Sequence, residues 1–227
     1  MKRSEVNQEM TWAKSLLEKN NIHLPHYAYW DMDKWLENRD HLDMIRKVML
    51  GWDVTDFGTG RFNEIGAVLY TVRNGDQTDP SADITYCEKY IIMKETQRLP
   101  KHYHIAKTED IINRAGGVLA LYLWNTDENG EQLDTDVTVF MDGIKRTFKA
   151  GEEILVYSGD SVTLPPRVAH IFGPKSGCGD LIAGEVSKVN DDNTDNYFLE
   201  PTGRFSEIEE DAPVMHPLCN EYGKFLC

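Results

Sequence analysis

His102 and His104 stand two residues apart in the run Pro100-Lys101-His102-Tyr103-His104, with Glu109 and Gly116 after them and His170 farther on, behind Gly159 and Pro165. Residues two apart on a strand point to one face, so both imidazoles share a direction. Glu109, after a four-residue turn, can return a carboxylate to the same point. Nitrogen ligands and a carboxylate oxygen converging with open positions suit a divalent transition metal used for Lewis-acid or oxygen chemistry. His170 closes a segment of tight turn, strand and proline-fixed bend and supplies a fourth ligand. A lone pair of histidines two apart is often only a surface feature. Four ligand groups in a strand-rich context weigh more, because buried polar groups need partners and one ion would partner all four.

The elements that must position these groups are mostly strands. Apolar runs at 67–72, 84–94, 118–124, 137–141, 153–158, 161–164 and 181–189 alternate with the turn pairs Asn74-Gly75, Asn129-Gly130, Asp142-Gly143 and Gly159-Asp160. Seven strands at this spacing predict a sandwich or small barrel. Asp142-Gly143, between VTVFM and IKRTF, is the clearest hairpin signal, since both central residues of a type I′ turn need positive φ. Residues 1–60 read instead as a helical segment. Val6, Met10, Ala13, Leu16 and Leu17 recur at helical spacing, Asp31 can cap a helix carrying Met32, Trp35 and Leu36, and a third helix is expected from about Asp40 to Gly51. The division expected is therefore a helical segment over 1–60, a barrel over 61–200 and a C-terminal extension over 201–227.

Composition narrows the partners. The 227 residues carry 38 acidic and 24 basic side chains, a formal net charge of -14, which repels phosphate backbones and anionic lipid and excludes nucleic acid and membranes as expected partners. No apolar stretch approaches the roughly 20 residues that span a bilayer, and the start MKRSEVNQEM lacks the apolar core of a signal peptide, so a cytoplasmic protein is expected. Cys87, Cys178, Cys219 and Cys227 form no CxxC and fit reduced thiols. An open sheet leaves edges to cover, so a homodimer is expected, with residues 1–60 or a barrel edge at its interface.

The segment from His102 to Gly116 resembles the first cupin motif, and that from Gly159 through Pro165 to His170 the second. Thr96, Arg167 and Pro174 stand where those motifs more often have Gly, Gly and Asn. The resemblance implies a mainly β cupin double-stranded β-helix, a jelly-roll-like barrel with the metal inside, behind the helical segment. Gly184-Glu185-Val186-Ser187, the run from Val189 to Asn196, PKHYH and the total length further resemble the D-lyxose isomerase family, cupin-type enzymes interconverting D-lyxose with D-xylulose and D-mannose with D-fructose. That resemblance implies a free pentose or hexose as substrate. One divalent ion per chain is expected, Mn2+ first, with Co2+, Zn2+, Fe2+ and Mg2+ as alternatives, held by His102, His104, Glu109 and His170. A cupin Fe(II) dioxygenase and a non-catalytic sugar-binding cupin are the competing functions.

Moving a carbonyl between C1 and C2 needs both oxygens held and a proton carried between the carbons. Glu185, flanked by Ile182 and Val186, is either a solvent-facing strand glutamate or that acid/base, and the resemblance favours the second. Lys89 shares strand parity with Ile91 and Met93, so it lies inside the barrel or interrupts an apolar face; inside, it can stabilise charge on sugar oxygens. Trp124, with Tyr122, is a candidate sugar-stacking wall. Asp192, with Asp191, and Arg204 are candidates for distal hydroxyls from loops at the barrel mouth. Lys101 is a further substrate-binding candidate, although parity turns it away from His102.

Overall fold

The computed structural model describes residues 1–76, 78–79, 83–191 and 194–226. Asp192 and Cys227 therefore lie outside the described residues. The larger sheet contains β1 (Gly51–Thr55), β2 (Ala67–Arg73), β3 (Tyr86–Met93), β5 (Glu109–Gly116), β8 (Val137–Met141), β9 (Ile144–Phe148), β11 (Ser161–Leu164) and β13 (Leu181–Lys188). Its spatial order is β1-β2-β3-β13-β5-β11-β8-β9. The smaller sheet runs β10 (Ile154–Val156), β6 (Leu119–Thr126), β12 (Val168–Pro174), β4 (His102–Tyr103) and β14 (Tyr197–Phe198), with β7 (Gln132–Leu133) paired to β6. Strand neighbours are antiparallel, as in β3 against β13 and β12 against β6.

Strand parity decides where the core sits. Ala67 and Leu69 of β2, Ile91 and Met93 of β3 and Leu121 and Leu123 of β6 face the barrel interior, where they pack with Ile111, Val162 and Phe172. Val68 and Tyr70, on the other face of β2, pack against Val6, Met10, Ala13 and Leu17 of α1 (Arg3–Lys19). The helix stripe covers the outer face of β1 and β2, which explains why β2 is apolar on both sides instead of alternating. None of the helices among the described residues is long and apolar enough to cross a membrane. No disulfide joins Cys87, Cys178 and Cys219.

Asp31 caps α2 (Met32–Glu37), its Oδ1 accepting from the Lys34 amide at 2.8 Å. The third helix is shorter than the apolar spacing suggested: α3 spans only Asp43–Lys47, after a 3-10 turn over Arg39–His41. Met49 adopts φ 54 and Gly51 φ 110, which turns the chain out of the helix and into β1, so the tail of the stretch expected to be helical is a strand. The C-terminal residues return to this face. Buried Arg3 pairs with Glu210 at 2.9 Å and Glu221 at 2.5 Å, and α4 (Tyr222–Phe225) sets Tyr222 against Trp35. Asp142 and Gly143 both have positive φ, 50 and 79, and close the β8–β9 hairpin with Met141 opposite Ile144. Asn74-Gly75 is not a two-residue turn, since it opens the long connection from Arg73 of β2 to Tyr86 of β3. Asn74 is buried and its side chain joins the Val48 carbonyl to both backbone groups of Asn190.

Candidate metal centre

β12 and β4 place His170 directly opposite His102, and β14 places Phe198 on the other side of His102. Tyr103 points away and stacks on Tyr197 outside the barrel, so His104 returns to the interior two residues after His102. Arg167 takes φ 66 in the bend before β12, a left-handed position where glycine carries no steric cost. The bend survives a long side chain because the Arg167 amide donates to the His104 carbonyl at 2.7 Å and its guanidinium to the Asp127 carbonyl at 3.1 Å.

Each imidazole has its Nδ1 on a backbone carbonyl: His102 on Pro100 at 2.9 Å, His170 on Val168 at 3.0 Å, and His104 on Asp195. A carbonyl only accepts, so Nδ1 carries the proton and Nε2 presents a lone pair. One ring nitrogen of each histidine lies within 4.8 Å of the others'. Glu109 Oε1 is 3.2 Å from His170 Nε2 and 3.5 Å from His104 Nε2. His104 Nε2, His170 Nε2 and Glu109 Oε1 are buried without a hydrogen-bond partner. Burial, then the neighbouring imidazoles, lower the His102 pKa well below its ordinary value, and burial lowers that of His104 to about 4. His102 and His104 are therefore neutral, each with its one ring proton on Nδ1. A cluster of lone pairs and one carboxylate oxygen with no donor is satisfied by a cation, so this donor set fits a divalent metal ion.

Beside the cluster stands a buried ion network that the sequence reading did not include. Lys107 Nζ contacts Glu109 Oε2 at 3.0 Å, Glu185 Oε1 at 2.7 Å and Asn190 Oδ1 at 3.0 Å, one acceptor for each ammonium proton. Glu185 also accepts from Ser187 Oγ at 3.2 Å. Burial raises the Glu185 carboxyl, but the Lys107 and Lys89 ammoniums outweigh it and the net shift is downward. The same balance holds Glu109 ionised and raises Lys107. Lys107 lies in the turn between β4 and β5, outside any strand, so two-residue spacing gave no signal for it.

The structure brings Lys89, Glu185 and Arg204 to this place. Lys89 faces Glu185 in the β3–β13 register, and all three line a cavity of about 40 Å3 with His102, His104 and Lys107. Arg204 is held there by Asp53 of β1 at 2.5 Å. A second cavity of about 160 Å3 shares Lys89 and Asn190 and is walled by Thr71, Asn74 and Lys47 to Met49. Lys101 and Trp124 are a correction. Leu121 and Leu123 take the interior side of β6, so Trp124 faces outward, and Lys101 lies 3.7 Å above its ring with Nζ on Gln132. Tyr122 faces outward too and donates to Glu153. None of the three lines either cavity.

Two curled antiparallel sheets with an inward histidine cluster define a cupin barrel of the kind used by sugar isomerases. An L-ribose isomerase of Acinetobacter sp. DL28, solved in complex with L-ribose, shares the fold with a TM-score of 0.63 at 15% identity, over 92% of this chain and 98% of that one. The chain belongs to the D-lyxose isomerase family, whose model matches residues 1–222. It is 39% identical to the D-lyxose/D-mannose isomerase of Escherichia coli O157:H7, over 99% of this chain and 100% of that protein. With the Serratia proteamaculans enzyme of the same name identity is 40% over the full length of both. The protein is thus an isomerase, and its family's reaction is the interconversion of aldose and ketose sugars.

Proposed function

We propose that the protein interconverts D-lyxose with D-xylulose and D-mannose with D-fructose, using one divalent ion, Mn2+ in the first instance, held by His102, His104, Glu109 and His170. The observation that carries this reading is the donor-free meeting of His104 Nε2, His170 Nε2 and Glu109 Oε1 beside two buried ammoniums. When bound, the ion supplies Lewis-acid polarisation of the sugar carbonyl. Glu185, buried and ionised, takes the proton from one carbon and returns it to the other. Lys89 and Lys107 stabilise the negative charge that develops on the sugar oxygens, in a cavity where burial strengthens each charge. Arg204, held by Asp53, binds a distal hydroxyl. Asp192 keeps its proposed role at the mouth on sequence grounds alone.

A cytoplasmic homodimer completes the proposal. β9 is an edge strand, and Phe140 and Ile144 of the β8–β9 hairpin are exposed, which supports that barrel edge as the contact between copies.

The deciding experiment strips the protein with chelator, reloads it with Mn2+, Co2+, Zn2+ or Mg2+, and offers D-lyxose, D-mannose, D-xylose and D-ribose. Mn2+ should restore turnover on the first two sugars; full activity after exhaustive chelation sinks the metal assignment. Glu185→Gln keeps the side chain's shape without its basicity and should lower turnover by roughly 100-fold with metal content intact. Transfer through a carboxylate also admits solvent deuterium into product. Near-normal turnover in Glu185→Gln would move the proton-carrying role elsewhere.

A further inference from the structure

We propose that Asp195 is a positioning residue for the isomerase site: its carboxylate fixes the turn that carries His104, Lys107 and Glu109. The proposal rests on the metal reading of that site and concerns a residue outside the set that would touch sugar or ion.

The turn between β4 and β5 has no strand to pair with. Its outer carbonyls are engaged, that of His104 by the Arg167 amide and that of Thr108 by the Lys188 amide at 3.1 Å. The amides between them converge on one side chain 88 to 90 residues away. Ile105 N reaches Asp195 Oδ1 at 2.8 Å, Ala106 N lies 3.1 Å from Oδ1 and 3.2 Å from Oδ2, and Lys107 N reaches Oδ2 at 3.1 Å. Three successive amides around an anion form a concave nest. The Asp195 carbonyl meanwhile accepts from His104 Nδ1, which sets the tautomer that aims Nε2 at the metal cluster. The Asp195 amide is bonded in turn to the Asp191 carbonyl at 3.1 Å, and the residue is buried. One residue thus orients a metal ligand through its main chain. Through its side chain it holds the backbone from which Lys107 reaches Glu109 and Glu185. Among the described residues no other hydrogen bond holds amides 105–107, so without the carboxylate His104 and Lys107 lose their fixed placement.

Asp195→Asn preserves size but puts an NH2, which cannot accept, against either the Ile105 or the Lys107 N–H. We expect hydrogen exchange at amides 105–107 of the metal-free protein to accelerate at least about tenfold. Co2+ affinity should fall about 10- to 100-fold with an altered visible spectrum, and kcat should fall by a similar factor while KM changes little. Arg3→Met, which breaks a buried ion pair on the far face, is the control for general destabilisation; it should lower the melting temperature without moving the spectrum or those amides. Should Asp195→Asn not fold, Asp195→Glu retains the charge on a longer arm and should shift the Co2+ spectrum and lower kcat. Wild-type exchange, spectrum and kcat in whichever variant folds overturn the proposal, as do changes no different from those of Arg3→Met. If the wild-type protein takes up no Co2+, the metal reading falls; exchange at the three amides and the kcat-against-KM split still decide the role of Asp195.

Discussion

Replacing Lys107 by Met tests the buried network through charge while largely keeping volume. In the structure one ammonium lies 3.0 Å from Glu109 and 2.7 Å from Glu185, and all three groups are buried. Removing one partner of a buried pair costs about 3–5 kcal/mol, because the carboxylate left behind is neither solvated nor compensated. In a chain of 227 residues each kcal/mol moves the melting temperature by about 2–4 °C, so the metal-free variant should melt roughly 10 °C lower. A second effect has its own sign. In the wild type Lys107 and Lys89 keep Glu185 below its ordinary pKa against the pull of burial. Without Lys107 burial gains, the folded-state pKa rises above the unfolded value, and the native state takes up the extra proton as pH falls. The melting deficit should therefore be largest above the raised pKa and shrink as pH falls through it. The acid limb of the rate profile should move toward neutrality, with turnover at pH 7 down about 100-fold. Adding Glu185→Gln removes one stranded charge and should recover part of the melting temperature but none of the activity. Calorimetry and a pH–rate profile read both effects. A Lys107→Met protein that melts within 2 °C of the wild type, with an unmoved acid limb, refutes the network as the source of Glu185's ionisation.

His170→Ala deletes one of the four donors and should abolish stoichiometric Mn2+ binding and turnover together; metal analysis after gel filtration reads the first. The metal-free protein should lose stability in acid. His104, neutral in the fold with a pKa of about 4 but near 6.5 when unfolded, binds its proton preferentially in the unfolded chain. Its contribution is complete above about pH 6.5, falls as pH drops toward 4, and is short by about 2 kcal/mol at pH 5 in urea titrations. Light scattering should give about twice the 26.0 kDa chain mass, and Ile144→Lys on the exposed hairpin should return it to one chain mass. A wild-type monomer at micromolar concentration ends the dimer proposal.

The meeting of His102, His104, Glu109 and His170 was legible because it depends on short-range rules. Two-residue parity aims His102 and His104 together, and a bend closed by Pro165 aims His170. Parity set Lys89 with Ile91 and Met93 and left it either inside the barrel or breaking an apolar face; it is buried opposite Glu185. The same rule argues against Trp124, since Leu121 and Leu123 on its own strand claim the interior, and against Lys101, which alternates with His102. The helix expected over 40–51 failed for a different reason. Its apolar residues do have helical spacing, but the chain must reverse at Met49 and Gly51 to enter β1, and Trp52 and Val54 then bury against α1 as strand residues. Spacing reports which face is apolar and cannot show where tertiary packing stops an element.

Lys107 and Asp195 mark where local reading ends. Lys107 is in a turn, where no alternation fixes the direction of a side chain, and its meaning comes from Glu185 and Asn190, 78 and 83 residues away. Asp195 sits in a polar run that reads as solvated loop; the three amides its carboxylate collects and the His104 Nδ1 bond to its carbonyl are what set it apart, and both are long-range. Net charge misleads in the same way. A chain at -14 suggests an acidic molecule throughout, yet Lys89, Lys107 and Arg204 converge on one small cavity. There they oppose the carboxylates of Glu109, Glu185 and Asp53 at distances where burial makes each pairing strong. Compensated in this way, Glu185 stays ionised out of water. Its basicity is lowered by the same ammoniums that keep it charged, so in the proposed role it could act only on a carbon acid made unusually acidic. In the proposed reaction the ion that does this would be held by Glu109 and by the Nε2 atoms that the Nδ1 bonds of the three histidines turn inward.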